Sequence, residues 1–367
     1  MAIPTSGSNL TTMQGTKVLF IDAVGALIVS RYNKIYRVID NMEVLICSLP
    51  TSLINSFCSK SNLYYRAKRL GVGASIEYDS AYYLVFESKI YRYDLKAKKL
   101  TVDFSFPEGR GPLSFTIVKS IAGFEDGLYF GEYISNRNKK PVSIFFRGSA
   151  WRPIYTFESG MINHIHSLII DDLRNSVWIL TGDFGNAAAI FNAKDGFTNV
   201  ETIVAGHQIY RACVAFPTEE GLLYATDSQI EPNSIRMLKN DVDGWQSVFL
   251  NNLNGSCIYG CELNDYYVFS TSTEPTEMVK SKMHSLLDNK PAPNIIENRS
   301  DIVTCRKSDF DVRVVYSVDK DIFPYRPFQF GTIMFPGGNK KQNTIYGYKI
   351  GAVNGDLDTV ILTCEST

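Results

Sequence analysis

Charge of one sign is missing from this chain: Lys and Arg total 37 against 38 Asp and Glu, a formal net charge of −1. A surface so balanced lacks the cationic excess that coats nucleic acid or clings to acidic membranes, so no nucleic-acid partner is expected. No run approaches the length of apolar sequence that spans a bilayer, which argues against membrane insertion. The start, MAIPTSGSNLTTMQG, has neither the charged opening nor the apolar run of a secretory signal,. The seven cysteines (Cys47, Cys58, Cys213, Cys257, Cys261, Cys305, Cys364) show no CxxC spacing and are odd in number. Buried thiols in a reducing, cytoplasmic setting are therefore expected rather than a disulfide framework. Linkers rich in Pro, Ser or Gly are also lacking, so residues 1–367 read as one domain. Tryptophan is scarce, at 3 residues.

Tyrosine and phenylalanine are plentiful instead, at 21 and 22 residues, within a chain that is 45 % apolar. These residues, with Val and Ile, favour pleated and half-buried surfaces. Short alternating strands follow one another along the chain: KVLFID, GALIVSR, KIYRVID and EVLICSLP, then YYRAKRL, ASIEYDSAYYLVFES, KIYRYDL and LTVDFSF. The long second segment of this set can be split. FTIVKSIAG, GLYFGEY, VSIFFRG and RPIYTFE form a third set, and HIHSLIID, SVWILTGD, AAAIFNA and VETIVAG a fourth. IYRACVAF, GLLYATDS, SIRMLKN and WQSVFLN make a fifth; SCIYGCEL, YYVFSTST, IVTCRKS and VRVVYSV make a sixth. The end supplies three strands, FGTIMFP, NTIYGYKI and DTVILTCE, which leaves one place for a strand near Asn9 to Met13.

Sets of four at a spacing of roughly 45–50 residues predict an all-β fold, a β-propeller of four-stranded antiparallel blades. Seven blades are expected, at about 17–50, 64–106, 112–158, 161–205, 206–251, 256–318 and 326–365, the last closed by the N-terminal strand; six is the alternative. Between third and fourth strands recur the turns FFRGSAWRPI, FNAKDGFTNV and KNDVDGWQSV, with weaker copies in RVIDNMEVL and RKSDFDVRV. These resemble degenerate Asp-boxes, the bacterial neuraminidase repeats of sialidase-superfamily propellers. Residues Gly127 to Met237 are also similar to a group of bacterial propellers of that superfamily encoded among surface-polysaccharide genes. That resemblance implies a propeller fold and a carbohydrate context.

In such a blade the first strand starts, and the second ends, at one mouth of the channel. Polar residues recur at those positions: Arg31, Glu132, Tyr133, His164, His166, Thr181, Asp183, Gln208, Arg211, Asp227, Asn233 and Glu274, with Arg110 in the connection entering the third unit. Turn chemistry accounts for Asp and Asn at strand ends, but not for two His, Arg211 and two Glu together. Glu132, Asp183, His166 and Arg211 are the expected catalytic set. Arg31, Arg110, Tyr133, His164, Gln208, Asp227, Asn233 and Glu274 are expected to bind substrate. His164 and His166 point to one side of a strand, which permits a divalent metal, although no cofactor is the expectation.

Two functions follow. The first is an enzyme on a bacterial surface polysaccharide, either a glycosidase with paired carboxylates or a lyase with a base and a charge-stabilising group. The F/Y-R-I-P motif of true sialidases is missing, which argues against that activity. The second is a non-catalytic propeller that binds a glycan or protein in polysaccharide assembly. Trp151, Trp178 and Trp245 fall in turns or a strand core, so they are expected to support the fold rather than stack on sugar.

Overall fold

Runs in which every second residue is Val, Ile, Leu, Phe or Tyr bury one face of a strand, and they pair into sheets. The computed structural model, which describes residues 10–40, 42–107, 109, 111–275, 286–338 and 343–364, contains strands β1 to β28 in seven antiparallel sheets of four. In chain order, β1 is Leu10–Met13, and β2 to β5 are Lys17–Ile21, Leu27–Arg31, Lys34–Ile39 and Met42–Ser48. Helices α1 (Leu53–Cys58) and α2 (Asn62–Lys68) follow, then β6 to β9 at Ser75–Tyr78, Ala81–Phe86, Lys89–Asp94 and Lys99–Ser105. Next come β10 to β13 (Thr116–Val118, Gly127–Gly131, Val142–Arg147, Trp151–Phe157) and β14 to β17 (Ile165–Asp171, Ser176–Thr181, Ala189–Lys194, Asn199–Ala205). Strands β18 to β21 are Ala212–Thr218, Gly221–Thr226, Ser234–Asp241 and Gly244–Asn252; β22 to β25 are Ser256–Glu262, Tyr266–Ser272, Arg299–Arg306 and Val312–Asp319. Helix α3 (Tyr325–Phe328) precedes β26 to β28 at Thr332–Met334, Thr344–Ile350 and Thr359–Thr363. Six sheets run in sequence order, and the seventh is ordered β1-β28-β27-β26. The protein is thus a β-propeller of seven blades, not six.

The chain divides into two compact units. Unit 1 comprises Met1–Val72, Asp227–Ser234 and Asn251–Thr367; unit 2 comprises Gly73–Thr226 and Ile235–Leu250. In unit 1 the expected closure is realised by β1, with Leu10 opposite Leu362 and Met13 opposite Thr359; Asn9 lies outside the described residues. One of its core clusters gathers Leu263, Val268, Ile302, Ile333, Ile345 and Val360. The core of unit 2 includes Tyr129, Ile144, Phe157, Val177, Ile179 and Phe191, and Phe197 plugs it from the FNAKDGFTNV turn, where Gly196 sits at φ +65°. Trp178 is fully buried, donates to Asp171 at 2.8 Å and packs edge-on against Trp245; Trp151 donates to Asp103. All three indoles thus serve the scaffold.

One expected strand is a helix. YYRAKRL lies in α2, whose start is capped by the Ser61 side chain accepting from the Tyr64 amide and whose end turns at Arg69 with φ +50°. Leu, Ala, Lys and Arg without a β-branched residue favour the helix once Ser61 supplies its cap. The second blade keeps four strands because ASIEYDSAYYLVFES folds back at Asp79 and Ser80, both at positive φ (47° and 55°), as a type I′ hairpin turn requires,. Five fourth strands share a device the alternation did not reveal: each carries one extra residue (Ile46, Asp103, Ile154, Ile203, Val315) without a partner on the third strand. Register shifts follow Ile35, Ile90, Ile144, Ile190 and Ile302, each of them fully buried. Such bulges increase local twist, so the same kink recurs blade after blade.

No disulfide links the seven cysteines. Burial pushes the Cys47 and Cys305 thiols up to about 12, which keeps them protonated and unreactive at neutral pH,.

Candidate functional site

Unit 2 collects six of the expected residues in one place, and a bulge aims the sharpest of them. Ile165 pairs with Thr181 and Ser167 with Leu180, so His166 is the extra residue at the head of β14. The equivalent shift in β18 falls at Cys213. Gly182 completes the seat: a Cβ there would stand 2.0 Å from the His166 ring. His164 and His166 are 6 % and 4 % exposed, and their rings lie 4.9 Å apart.

The hydrogen bonds fix both tautomers. His164 Nδ1 is 3.0 Å from the Ile134 carbonyl and His166 Nδ1 is 2.7 Å from the Ala212 carbonyl. A carbonyl only accepts, so each Nδ1 carries a proton and donates it. The two Nε2 atoms face one another at 3.0 Å, and with both rings neutral each would turn a lone pair toward the other. Two lone pairs so placed repel unless a positive centre lies between them, either a shared proton or a metal ion. The proton is disfavoured on one side: burial, then the charges of His164 and Arg211, hold the His166 pKa well below the usual imidazole value, against the Ala212 carbonyl that raises it,.

Asp183 supplies the third group. Its backbone is at φ +83°, its Oδ1 lies 3.6 Å from His164 Nε2 and 3.9 Å from the Arg211 guanidinium, and its Oδ2 accepts from Asn163 at 3.0 Å. Gln208, in a 3-10 turn over Gln208–Tyr210, donates to the Asp183 carbonyl at 2.8 Å. Arg211 lies 5.6 Å over the ring of Phe184, and Tyr133 packs 4.4 Å from the His164 ring. His164, His166 and Asp183 present ligand atoms all within 4.8 Å of one another and are residues of unit 2 that could hold a metal. Beside Tyr133 opens a cavity of about 80 Å³ lined by Phe104, Phe106, Phe130 and Phe145, with Glu132 among its lining residues.

The other expected residues are placed differently. Glu132 Oε2 accepts from the Ser143 amide at 3.0 Å, and its carbonyl accepts from Ile165, so this residue ties β11 to the neighbouring strands as well as standing next to Tyr133. In unit 1, Asp227, Asn233 and Glu274 are buried. Asn233 grips the Ser228 backbone through both ends of its amide, and Ser256 donates to the Ser228 carbonyl at 3.0 Å and to Glu274 at 3.4 Å. Arg31 is engaged elsewhere: it bonds Glu43 through two nitrogens, Thr16 through Nε, and lies over the Tyr36 ring. Its side chain reaches diagonally across β4, over Tyr36, to Glu43 on β5. Arg110 lies outside the described residues. Asn163, Gly182 and Phe184 were not anticipated; the Gly in Thr181-Gly182-Asp183 was the one available signal for a close approach.

No protein-family model matches this chain, and no curated protein matches it. Solved structures share the fold. A structure of oligogalacturonate lyase in complex with manganese aligns at TM-score 0.55 and 11 % identity, over 100 % of this chain and 98 % of that one. The CNH domain of AfRom2 aligns at 0.55 and 7 % identity, over 98 % and 100 %. The extracellular domain of a protein classed as a one-component system from B. thetaiotaomicron aligns at 0.50 and 9 % identity; it covers 97 % of this chain, which spans 39 % of that longer one. At these identities the likeness establishes the propeller and nothing finer.

Proposed function

We propose that the protein acts on an acidic bacterial surface polysaccharide at a divalent-cation centre formed by His164, His166 and Asp183. The facing Nε2 atoms at 3.0 Å carry this reading. An ion bonded to both at about 2.1 Å would hold them at roughly a right angle, which suits a six-coordinate cation with further oxygen ligands better than a closed tetrahedral zinc. The carbonyls behind each Nδ1 give the outer support that metal-bound imidazoles need. Arg211 adds a second positive charge beside Asp183, so the ligand that fits is an anion such as a sugar carboxylate,. The Asp-box-like turns and the manganese-bound lyase of the same fold support a carbohydrate context.

Elimination is the reaction this set serves best. The cation and Arg211 would stabilise charge on the sugar carboxylate while Glu132, assigned as the base, takes the neighbouring carbon's proton; the glycosidic C–O bond at the next carbon then breaks as the C=C bond forms, and the departing oxygen takes a proton from water. A second reading, a non-catalytic glycan binder, is favoured by the Ser143 amide bond that occupies one oxygen of Glu132. Equilibrium dialysis with manganese, followed by a screen of uronate-containing capsule and lipopolysaccharide fragments, tests both. Cation binding lost in His164→Ala and His166→Ala, with release of unsaturated sugar, is the expected result. Glycan binding without product supports the binder, and absence of cation binding overturns the centre.

A further inference from the structure

We propose that helix α1 docks the protein onto an anionic phospholipid surface. The two helices between β5 and β6 are held in opposite ways. Helix α2 buries Tyr65 and Arg66 in unit 1, and Arg66 reaches Asp321, Asp356 and the Phe328 carbonyl. Helix α1 buries none of its residues. Its Leu53, Ile54 and Phe57 are 90 %, 69 % and 76 % exposed. Spacing of one and four residues places these three on one side of a helix.

A helix this short gains too little from its own hydrogen bonds to persist alone. Here the Ser52 side chain caps it by accepting from the Asn55 amide, and the Tyr64 hydroxyl donates to Asn55 at 2.9 Å, tying it to α2. Local bonds therefore hold α1 in position while its apolar side chains contribute nothing to the core. They are available to something outside the chain.

Charge identifies what that is. No Asp or Glu occurs between Glu43 and Glu77, whereas Lys60, Arg66, Lys68 and Arg69 all fall there. Arg66 is buried, but Lys60 and Lys68 are exposed and Arg69 is half-buried. The Lys60 ammonium lies 6.0 Å from the Phe57 ring centroid, so cation and apolar tip share a face. An apolar tip with Lys60 beside it, on a segment that carries cations and no Asp or Glu, fits the boundary where acyl chains meet phosphates,. A second copy of this chain would set the same cations against each other. None of the described helices is long and apolar enough to cross a membrane, so the contact is superficial.

Cosedimentation of the full chain with vesicles tests this. Vesicles of mixed phosphatidylglycerol and phosphatidylcholine should bind at least about tenfold more tightly than pure phosphatidylcholine, and added salt should weaken the binding. Leu53→Ser combined with Phe57→Ser should reduce it by roughly a hundredfold with an unchanged thermal midpoint. Lys60→Glu combined with Lys68→Glu should reduce it about tenfold or more. No sedimentation with the mixed vesicles, or binding indifferent to the double Ser variant, overturns the proposal. A dimer that forms without vesicles and is dissolved by that variant, with no lipid binding, assigns the face to a second copy and also overturns it.

Discussion

Each unit contains a buried arginine among carboxylates, and the two settings differ in what is left over. In unit 1, Arg66 faces Asp321 and Asp356 while Lys320 bonds the other oxygen of Asp321, so two positive charges meet two negative ones. Burial pushes Asp321 up, but hydrogen bonds from Arg66 and Lys320 outweigh it and hold the carboxyl below its usual range. The Arg66 guanidinium also bonds the Phe328 carbonyl. This node clamps an inserted helix to the propeller. In unit 2, Arg211 stands at the longer distance of 3.9 Å from Asp183, beside two imidazoles whose lone pairs face each other. Matched charge makes a clamp, whereas opposed lone pairs beside a loosely held ion pair make a place for a ligand.

Substitutions separate the two settings, and the clamp is the more sensitive. Arg66→Met should destabilise the fold by about 3–5 kcal/mol, because two half-buried carboxylates lose the guanidinium and Lys320 is left to balance them,; urea unfolding measures it. If the loss is under about 1 kcal/mol, the node is not what holds α2. Gly182→Ala comes next, at about 1–3 kcal/mol, since its Cβ must displace the His166 ring,. The same variant should weaken cation binding about 10–100-fold while every proposed ligand remains, which dialysis against manganese would show.

Acid should separate the units more gently. His166 has a folded-state pKa well below its unfolded value of 6.5. Below pH 6.5 the unfolded chain takes up a proton that the folded chain refuses, so stability falls as the pH drops toward the folded value. The slope approaches about 1.4 kcal/mol per pH unit, and His166→Gln should flatten it in unfolding curves taken across that window. A wild-type curve with no such slope would show that His166 is protonated in the fold. The smallest effect is expected at the surface. Arg31→Ala removes an exposed pair with Glu43 and should cost less than about 1 kcal/mol, leaving cation binding unchanged,.

Much of the architecture was legible because alternation and turn residues are local properties. Lys89–Asp94 and Gly221–Thr226 read as strands wherever they are placed, and their spacing sets the number of blades. YYRAKRL misled because its alternation is equally compatible with a helix, and the Ser61 cap decides between them. Bulges were invisible for another reason: His166 is an extra residue only relative to the strand it pairs with. The neighbourhood of His164, His166, Asp183, Gln208 and Arg211 follows from strand order, which is why those residues could be grouped before any coordinates. Arg31 could not be judged that way, since a side chain of its length answers to the nearest carboxylate. Asn233 and Glu274 also lie near strand ends, but they are bound up with Ser228 and Ser256 in unit 1.

Closure of the seventh sheet sets a schedule for the chain. Strand β1 finds its partner in β28, and Gly15 and Thr16 bond Asp358 and Thr359 across 343 residues. On a ribosome, β1 must wait unpaired until β28 has emerged. Joining such distant segments in an otherwise unfolded chain costs roughly 5 kcal/mol in loop entropy, so this contact is expected to form last. A sheet assembled from both ends of the sequence also leaves the intervening turns as natural places to cut. A permuted chain that begins at Lys17 and carries Leu10–Met13 after Thr363 would turn that late, long-range step into a local hairpin and should fold faster.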